Sequence, residues 1–348
     1  MTERENFFHL MAGGSPERVP FTLKLCDSLL DQFRAKYGVD DYLGYYEVPF
    51  AYASPLPSRY PIDYSVYFAP GEIDFFDNWG FGYKKGRTAH FASFISPMRE
   101  FSTPEEVWNY PMEDYLAEYR WEDMRDRVCA LKQKDRIVVT GGPTIDLFEP
   151  SWYLRGMENL LCDFLLEPEM ANACLERTLE VKCGIAARFA AAGVDVIIYG
   201  DDVGTERDMM ISPELWRKWL KPRLIKMIRA AKEVNPDVLC YYHSDGDIRL
   251  IIDELIECGI DILNPVQPEC MDPTEIYRRY SDRIALWGTI GTQTTMPFGS
   301  VEDVRVKTRE MLDLCRETGR LILAPTHLLE PEVPLENVDA FVDTVKNF

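Results

Sequence analysis

Histidine is the scarcest reactive side chain here, with four copies in 348 residues. The nine cysteines, at 26, 129, 162, 174, 183, 240, 258, 270 and 315, form no Cys-x-x-Cys pair. That excludes zinc-ribbon and dithiol redox motifs and reads as thiols packed like small hydrophobes in a reducing compartment. No apolar run is long enough to cross a membrane, and Met1-Thr2-Glu3-Arg4-Glu5-Asn6 lacks a signal-peptide pattern, so a cytoplasmic location is expected. Cations are short as well: 38 basic against 58 acidic residues leave a net charge of -20, with no basic cluster. Nucleic acids and anionic lipid surfaces are therefore poor partners. No Gly-x-Gly-x-x-Gly follows a strand, and Gly141-Gly142-Pro143 is too short for a dinucleotide fingerprint.

What is present is a globular composition, 46% hydrophobic and 28% charged, with a regular alternation in the second half. Helices are predicted over 170–192, 212–234, 247–258, 274–280 and 301–317. Short, almost wholly apolar runs lie between them, as parallel strands covered on both faces require. Strands near 19–25, 43–46, 137–140, 194–199, 238–242, 260–263, 284–287 and 321–324 count to eight, and an α/β (β/α)8 TIM barrel with an N-terminal extension is predicted. Residues 1–348 read as one barrel domain. Residues 50–100, rich in Tyr, Phe, Pro and Gly, break the rhythm and are expected to be a hairpin or loop insertion near the mouth. Their aromatics form either a satellite core or the wall of a pocket for a flat ring.

In a β/α barrel, chemistry sits where strands end. His243 follows Val238–Tyr242, His327 follows Leu321–Thr326, and Asp201 and Asp202 follow Val196–Gly200. Imidazoles and carboxylates converging on one mouth point to a metal or acid-base site. Rival structural roles stand beside each: His243 and His327 as hydrogen-bonded rim residues, Asp201 as a turn cap, Asp245 as a turn former before Gly246. Of Tyr241 and Tyr242, strand alternation sends one into the barrel and the other toward the helices. Tyr241, Asn264, Gln267, Glu206 and Cys270 are candidate substrate contacts. Asn264 and Gln267 end a strand, Glu206 lies with Arg207 in the Asp201 loop, and Cys270 otherwise reads as an inert thiol. Trp216 and Trp219 read as helix packing.

Several motifs together resemble the uroporphyrinogen decarboxylase superfamily, and within it the corrinoid-linked methyltransferases. They are Gly141-Gly142 with Leu154-Arg155-Gly156-Met157-Glu158, Gly200-Asp201-Asp202-Val203-Gly204 with Met210-Ile211-Ser212-Pro213, and His243-Ser244-Asp245-Gly246. Ile262-Leu263-Asn264-Pro265-Val266-Gln267-Pro268 and Ala324-Pro325-Thr326-His327 with Val333-Pro334-Leu335-Glu336-Asn337 complete the set. The resemblance covers nearly the whole chain and implies the barrel. Family decarboxylases hold an acidic tetrapyrrole with an Arg-rich N-terminal loop. Here that region reads Phe21-Thr22-Leu23-Lys24-Leu25-Cys26-Asp27, so tetrapyrrole decarboxylation is not expected.

Family methyltransferases bind zinc through His-x-Cys and a later Cys. This chain has His243 and Asp245 in the first pattern and His327 near the end of the last strand. The resemblance thus implies a zinc site of His243, Asp245 and His327, with Asp202 as fourth member or as orienter of an imidazole. The same residues are the candidate catalytic groups. Replacing thiolates by carboxylate and imidazole hardens the metal, which favours polarising an ether over activating a thiol. The expected activity is methyl transfer from a small methylated substrate, an aromatic methyl ether, to the cobalt of a corrinoid. No Asp-x-His-x-x-Gly motif is present, so the corrinoid belongs on a separate partner protein. A homodimer is expected from the resemblance alone. The alternatives are a decarboxylase or lyase acting on a small carboxylated substrate, transfer from the corrinoid to a thiol or folate-like acceptor, and a non-catalytic scaffold.

Overall fold

A computed structural model describes residues 1–86, 92–142 and 144–348. Seven parallel strands form one curled sheet in chain order: Phe50–Ala53, Ile137–Thr140, Val196–Gly200, Leu239–His243, Ile262–Asn264, Ala285–Ile290 and Leu321–Pro325. The chain has a TIM-barrel-like fold. Six of the eight predicted strands are found, Ile137–Thr140 with its expected bounds and the others within three residues of theirs. Segment 19–25 lies parallel beside the seventh strand and the residues after it but meets them through isolated bridges, Phe21 to Leu323 and Leu25 to Leu329. The strand expected at 43–46 is instead a helical turn, Tyr42–Tyr45, held by the Asp41 carboxylate on the Gly44 N–H at 2.9 Å. The first strand follows it at Phe50–Ala53. The helix expected over 212–234 is two, Pro213–Trp219 and Lys221–Lys232. Pro222 explains the break, since it has no N–H to donate and its ring crowds the carbonyl four residues back.

Aromatic rings fill the barrel from below. Phe7 of the N-terminal helix Glu3–Met11 packs on Phe50 of the first strand, with ring centroids 5.7 Å apart. Phe50 packs on Trp287 of the sixth strand at 4.5 Å, and Trp287 on Tyr241 of the fourth at 5.3 Å. Such pairs add to the burial each ring already contributes. Tyr241 therefore faces the interior. Tyr242 turns the other way, toward Trp216. Trp216 is buried, as is Trp219, whose ring stacks on Phe164.

Within residues 50–100, the strands Phe75–Phe76, Gly82–Lys85 and Ala92–Ile95 form an antiparallel sheet. It packs on the helix Phe148–Arg155 through Phe81 and Phe94, each about 5 Å from the Tyr153 ring.

Because the ring column is the barrel's filling, Phe50→Ala is expected to cost about 3–5 kcal/mol of unfolding free energy. Urea denaturation measures it, and a loss under about 1 kcal/mol would show that the column is not part of the core.

Candidate metal centre at the barrel mouth

His243 ends the fourth strand, two residues past inward-facing Tyr241, so its ring points into the barrel. Its Nδ1 lies 2.5 Å from Asn264 Oδ1. The Asn264 amide nitrogen donates to the Trp287 carbonyl at 2.6 Å, which leaves the amide oxygen for the imidazole. An oxygen only accepts, so Nδ1 carries the proton and the Nε2 lone pair is free to coordinate. Nε2 faces Asp202 Oδ1 at 3.6 Å and Asp245 Oδ1 at 3.8 Å.

These separations are too long for hydrogen bonds. Asp202, His243 and Asp245 each place one donor atom within 4.8 Å of the others. Asp202 Oδ1 also accepts the Asp245 N–H at 2.8 Å. Asp245 Oδ1 is buried and has no hydrogen-bond partner, a costly state for a carboxylate unless a cation covers it. Ligands about 2.0–2.2 Å from one tetrahedral zinc stand roughly 3.4 Å from each other, close to the spacing seen. The donor set thus fits a divalent ion held by one nitrogen and two oxygens. Three protein ligands leave a coordination position open.

Two loops create this convergence by touching backbone to backbone. The Asp201 N–H donates to the His243 carbonyl at 3.0 Å, and the Asp247 N–H to the Thr205 carbonyl at 2.7 Å. A Cβ on Gly204 would stand 2.6 Å from the Asp245 carbonyl oxygen, and one on Gly246 would stand 2.5 Å from the Gly204 carbonyl carbon. Gly246 also has φ +84°, so both positions require glycine. Ser244 Oγ, fully buried, accepts the Val203 N–H at 3.1 Å.

Asp201 is not in the donor cluster. Its Oδ1 takes the N–H groups of Leu147, Phe148 and Glu149 at 2.8, 2.5 and 3.1 Å. It thereby caps a helix whose own N-cap residue, Leu147, has no side-chain bond to offer. Asn264 and Gln267 serve the scaffold: Asn264 orients His243, and Gln267 Oε1 accepts the Gly246 N–H at 2.7 Å. Tyr241 supports His243 from below. Glu206 and His327 are exposed. His327 stands outside the three-residue cluster, though it is near enough to act electrostatically on Asp245, against the effect of burial. Cys270 donates to Gln267 Oε1 at 3.5 Å, and burial pushes its thiol up to about 11, so it is no thiolate at neutral pH.

Charge is concentrated here. Burial disfavours the His243 imidazolium, but Asp245, Asp202 and the Asn264 bond outweigh it and raise its pKa. Burial raises Asp245, with Asp202 adding to the shift and His243 opposing it.

One wall was not anticipated. The short strand Ile145–Asp146 pairs with the end of the third strand, opposite Tyr199 and Gly200, and leads into the helix that starts at Phe148. It brings Glu149 beside Asp202. Burial, with Asp202 and Asp146 nearby, pushes the Glu149 carboxyl up to about 7. Asp146 is bound at 2.5 Å by Lys182, which is buried and lies 4.5 Å from the Trp79 ring centre. The available signal was position: Asp146 and Glu149 fall within ten residues of the second strand's end.

The uroporphyrinogen decarboxylase (URO-D) family pattern matches residues 134–348. The chain belongs to the URO-D family. The matched stretch contains all three cluster residues, Asn264 and Glu149, and excludes the inserted antiparallel sheet. A methyltransferase from Methanosarcina mazei has a similar fold, with a TM-score of 0.71 at 18% identity, covering 100% of this chain and 99% of that one. Xylanase 10B from Thermotoga maritima is more distant, with a TM-score of 0.41 at 14% identity, covering 67% of this chain and 81% of that one. No curated protein sequence matches.

Supplied with zinc, this URO-D protein is expected to hold about one ion per chain by mass spectrometry, and Asp245→Ala to lose it. Asn264→Ala removes the bond that orients His243, together with the one to the Trp287 carbonyl, and leaves the three ligands in place; it is expected to weaken zinc affinity by about 10–100-fold. Wild-type protein that takes up no zinc contradicts the site.

Glu149 supplies a pH test on metal-free protein. A carboxyl raised to about 7 in the fold binds its proton more tightly when native. Its contribution to stability is full below the ordinary carboxyl range and disappears as pH rises through about 7. Glu149→Gln is therefore expected to gain on wild type between pH 5 and pH 8, read as the shift in urea midpoint. An unchanged difference would place Glu149 in water.

Proposed function

We propose that this protein moves a methyl group from a small methylated substrate, an aromatic methyl ether, to the reduced cobalt of a corrinoid carried on a separate protein. The observation that carries this reading is the mixed cluster of Asp202, His243 and Asp245, with one carboxylate oxygen buried and unpaired. Its donors are nitrogen and oxygen, so the site suits a hard Lewis acid better than a thiol-activating one. When bound there, zinc supplies Lewis acidity toward the oxygen that loses the methyl group. Asn264 holds His243 in the coordinating tautomer, and Asp245 lends its unpaired oxygen. Glu149, poised near neutrality beside Asp202, is the group able to give a proton to the departing oxygen. Expelling an aryl oxygen needs such neutralisation.

On this reading residues 1–348 are one catalytic barrel, and the sheet inserted within 50–100 is its cap. The cap reaches the site through Tyr153, whose hydroxyl meets Glu149. His327 completes the mouth as a further acid-base group or ligand. Glu206 and Cys270 are rim positions. A decarboxylase needs free cations for a carboxylated substrate, and two of the described ones are engaged: Lys182 with Asp146, Arg249 with Asp247. Activating a thiol acceptor is favoured by thiolate ligands on the metal, and the cluster of Asp202, His243 and Asp245 holds none.

Zinc-loaded protein, guaiacol and a reduced corrinoid protein are expected to yield catechol and methylated corrinoid in equal amounts, measured by chromatography and absorbance. His243→Ala is expected to lower the rate by about 100-fold or more. Demethylation that proceeds at the wild-type rate in His243→Ala would overturn the reading.

A further inference from the structure

One ring in the barrel is left uncovered. Phe50 and Tyr241, on the first and fourth strands, both pack on Trp287, and all three are almost fully buried. Side chains two residues farther along a strand share the same face, one step nearer its C-terminal end. For the fourth strand that residue is His243. For the first strand it is Tyr52. Tyr52 is thus carried to the same mouth as the metal cluster, above the same tryptophan, yet it is 44% exposed while Phe50 below it is 2% exposed.

This exposure is not that of an outer surface. Burial raises the Tyr52 phenol, against a hydrogen bond with Thr22 that lowers it, so protein surrounds a ring that water still reaches. That is the situation of a recess wall. Tyr52 and Asp245 both raise the Tyr241 phenol electrostatically, so both stand near that inward-facing ring. Below, the contact of Phe50 with Trp287 closes the barrel, so a ligand can enter no deeper. A large ring face left open at an inward position is a surface that a flat apolar ligand covers.

We propose that Tyr52 is the wall against which the substrate's ring lies, making the recess facing Asp202, His243 and Asp245 an aromatic-binding subsite. This rests on the methyl-transfer reading above and adds to it the residue that positions the donor. Tyr52 acts as a positioning residue: the ring it holds is fixed, and the methyl-bearing oxygen is turned toward the cluster.

Guaiacol binding, measured by equilibrium dialysis on metal-stripped and zinc-loaded protein, tests this separately from turnover. Tyr52→Ala is expected to weaken binding about tenfold in both forms, with zinc content unchanged. Tyr52→Phe, which keeps the ring, is expected to restore most of it. In turnover, Tyr52→Ala raises KM more than it lowers kcat. Should Tyr52→Ala not fold, Tyr52→Leu fills the space without an aromatic face and is expected to bind as weakly. A Tyr52→Ala or Tyr52→Leu protein that keeps its zinc and binds guaiacol like wild type overturns the assignment. Guaiacol bound by no form of the protein, wild type included, overturns the ether reading and the subsite with it.

Discussion

The loops after the third and fourth strands lie against each other with no side chains between them, because Gly204 and Gly246 occupy the contact. The rest of the mouth follows from this. Pressed together, the loops carry Asp202 and Asp245 to the same side of His243, and the Asp245 N–H bonds directly to the Asp202 carboxylate. The adjacent fifth strand then supplies Asn264, which turns the imidazole so that Nε2 meets both acids. Three like-minded constraints, two glycines and one amide, hold two carboxylates near each other in a partly enclosed space. Without a cation such a grouping is electrostatically unfavourable, and the unpaired Asp245 oxygen is its plainest symptom.

Support for that cluster runs outward through buried polar groups. Asp201 uses its carboxylate to hold the start of the helix Phe148–Arg155. That helix places Glu149 against the cluster and Tyr153 against the inserted sheet. Lys182 fixes Asp146 from the long helix Pro168–Ala192 and at the same time meets Trp79 of the insertion. Beneath, the column from Phe7 to Tyr241 sets the floor. The acidic wall, the aromatic insertion and the ring-filled floor are therefore one connected assembly around a mouth.

Much of this was legible in the residues. Short apolar runs ending in His243, Asn264 and Gly200-Asp201-Asp202 fixed both the parallel strands and the polar groups at their ends, because burial on both faces leaves a strand few other compositions. Asp245 was legible only by its spacing from His243, since a carboxylate before glycine also makes an ordinary turn. Asp201 was read as a member of the site or as the cap of its own turn, and it caps neither its turn nor a metal but a helix start 52 to 54 residues away in sequence, which could not be seen locally. The strand expected at 43–46 is a helical turn capped by Asp41, and the first strand, Phe50–Ala53, lies at the start of the stretch read as an insertion, because its Tyr- and Phe-rich surroundings hid its alternation. Glu149 was missed for a different reason. It lies inside a helix, and its shift comes entirely from burial and from neighbours on other strands. Asn264 was singled out as a substrate contact, while its hydrogen bonds show the work of an orienting residue.

The central claim is that the cluster holds its metal through nitrogen and oxygen alone. X-ray absorption at the zinc edge of the loaded protein tests it most directly. The account predicts a first shell of light atoms at about 2.0–2.2 Å with an imidazole contribution. A sulfur shell near about 2.3 Å would contradict it, bringing a cysteine such as Cys270 into the site and returning the chemistry to thiol activation.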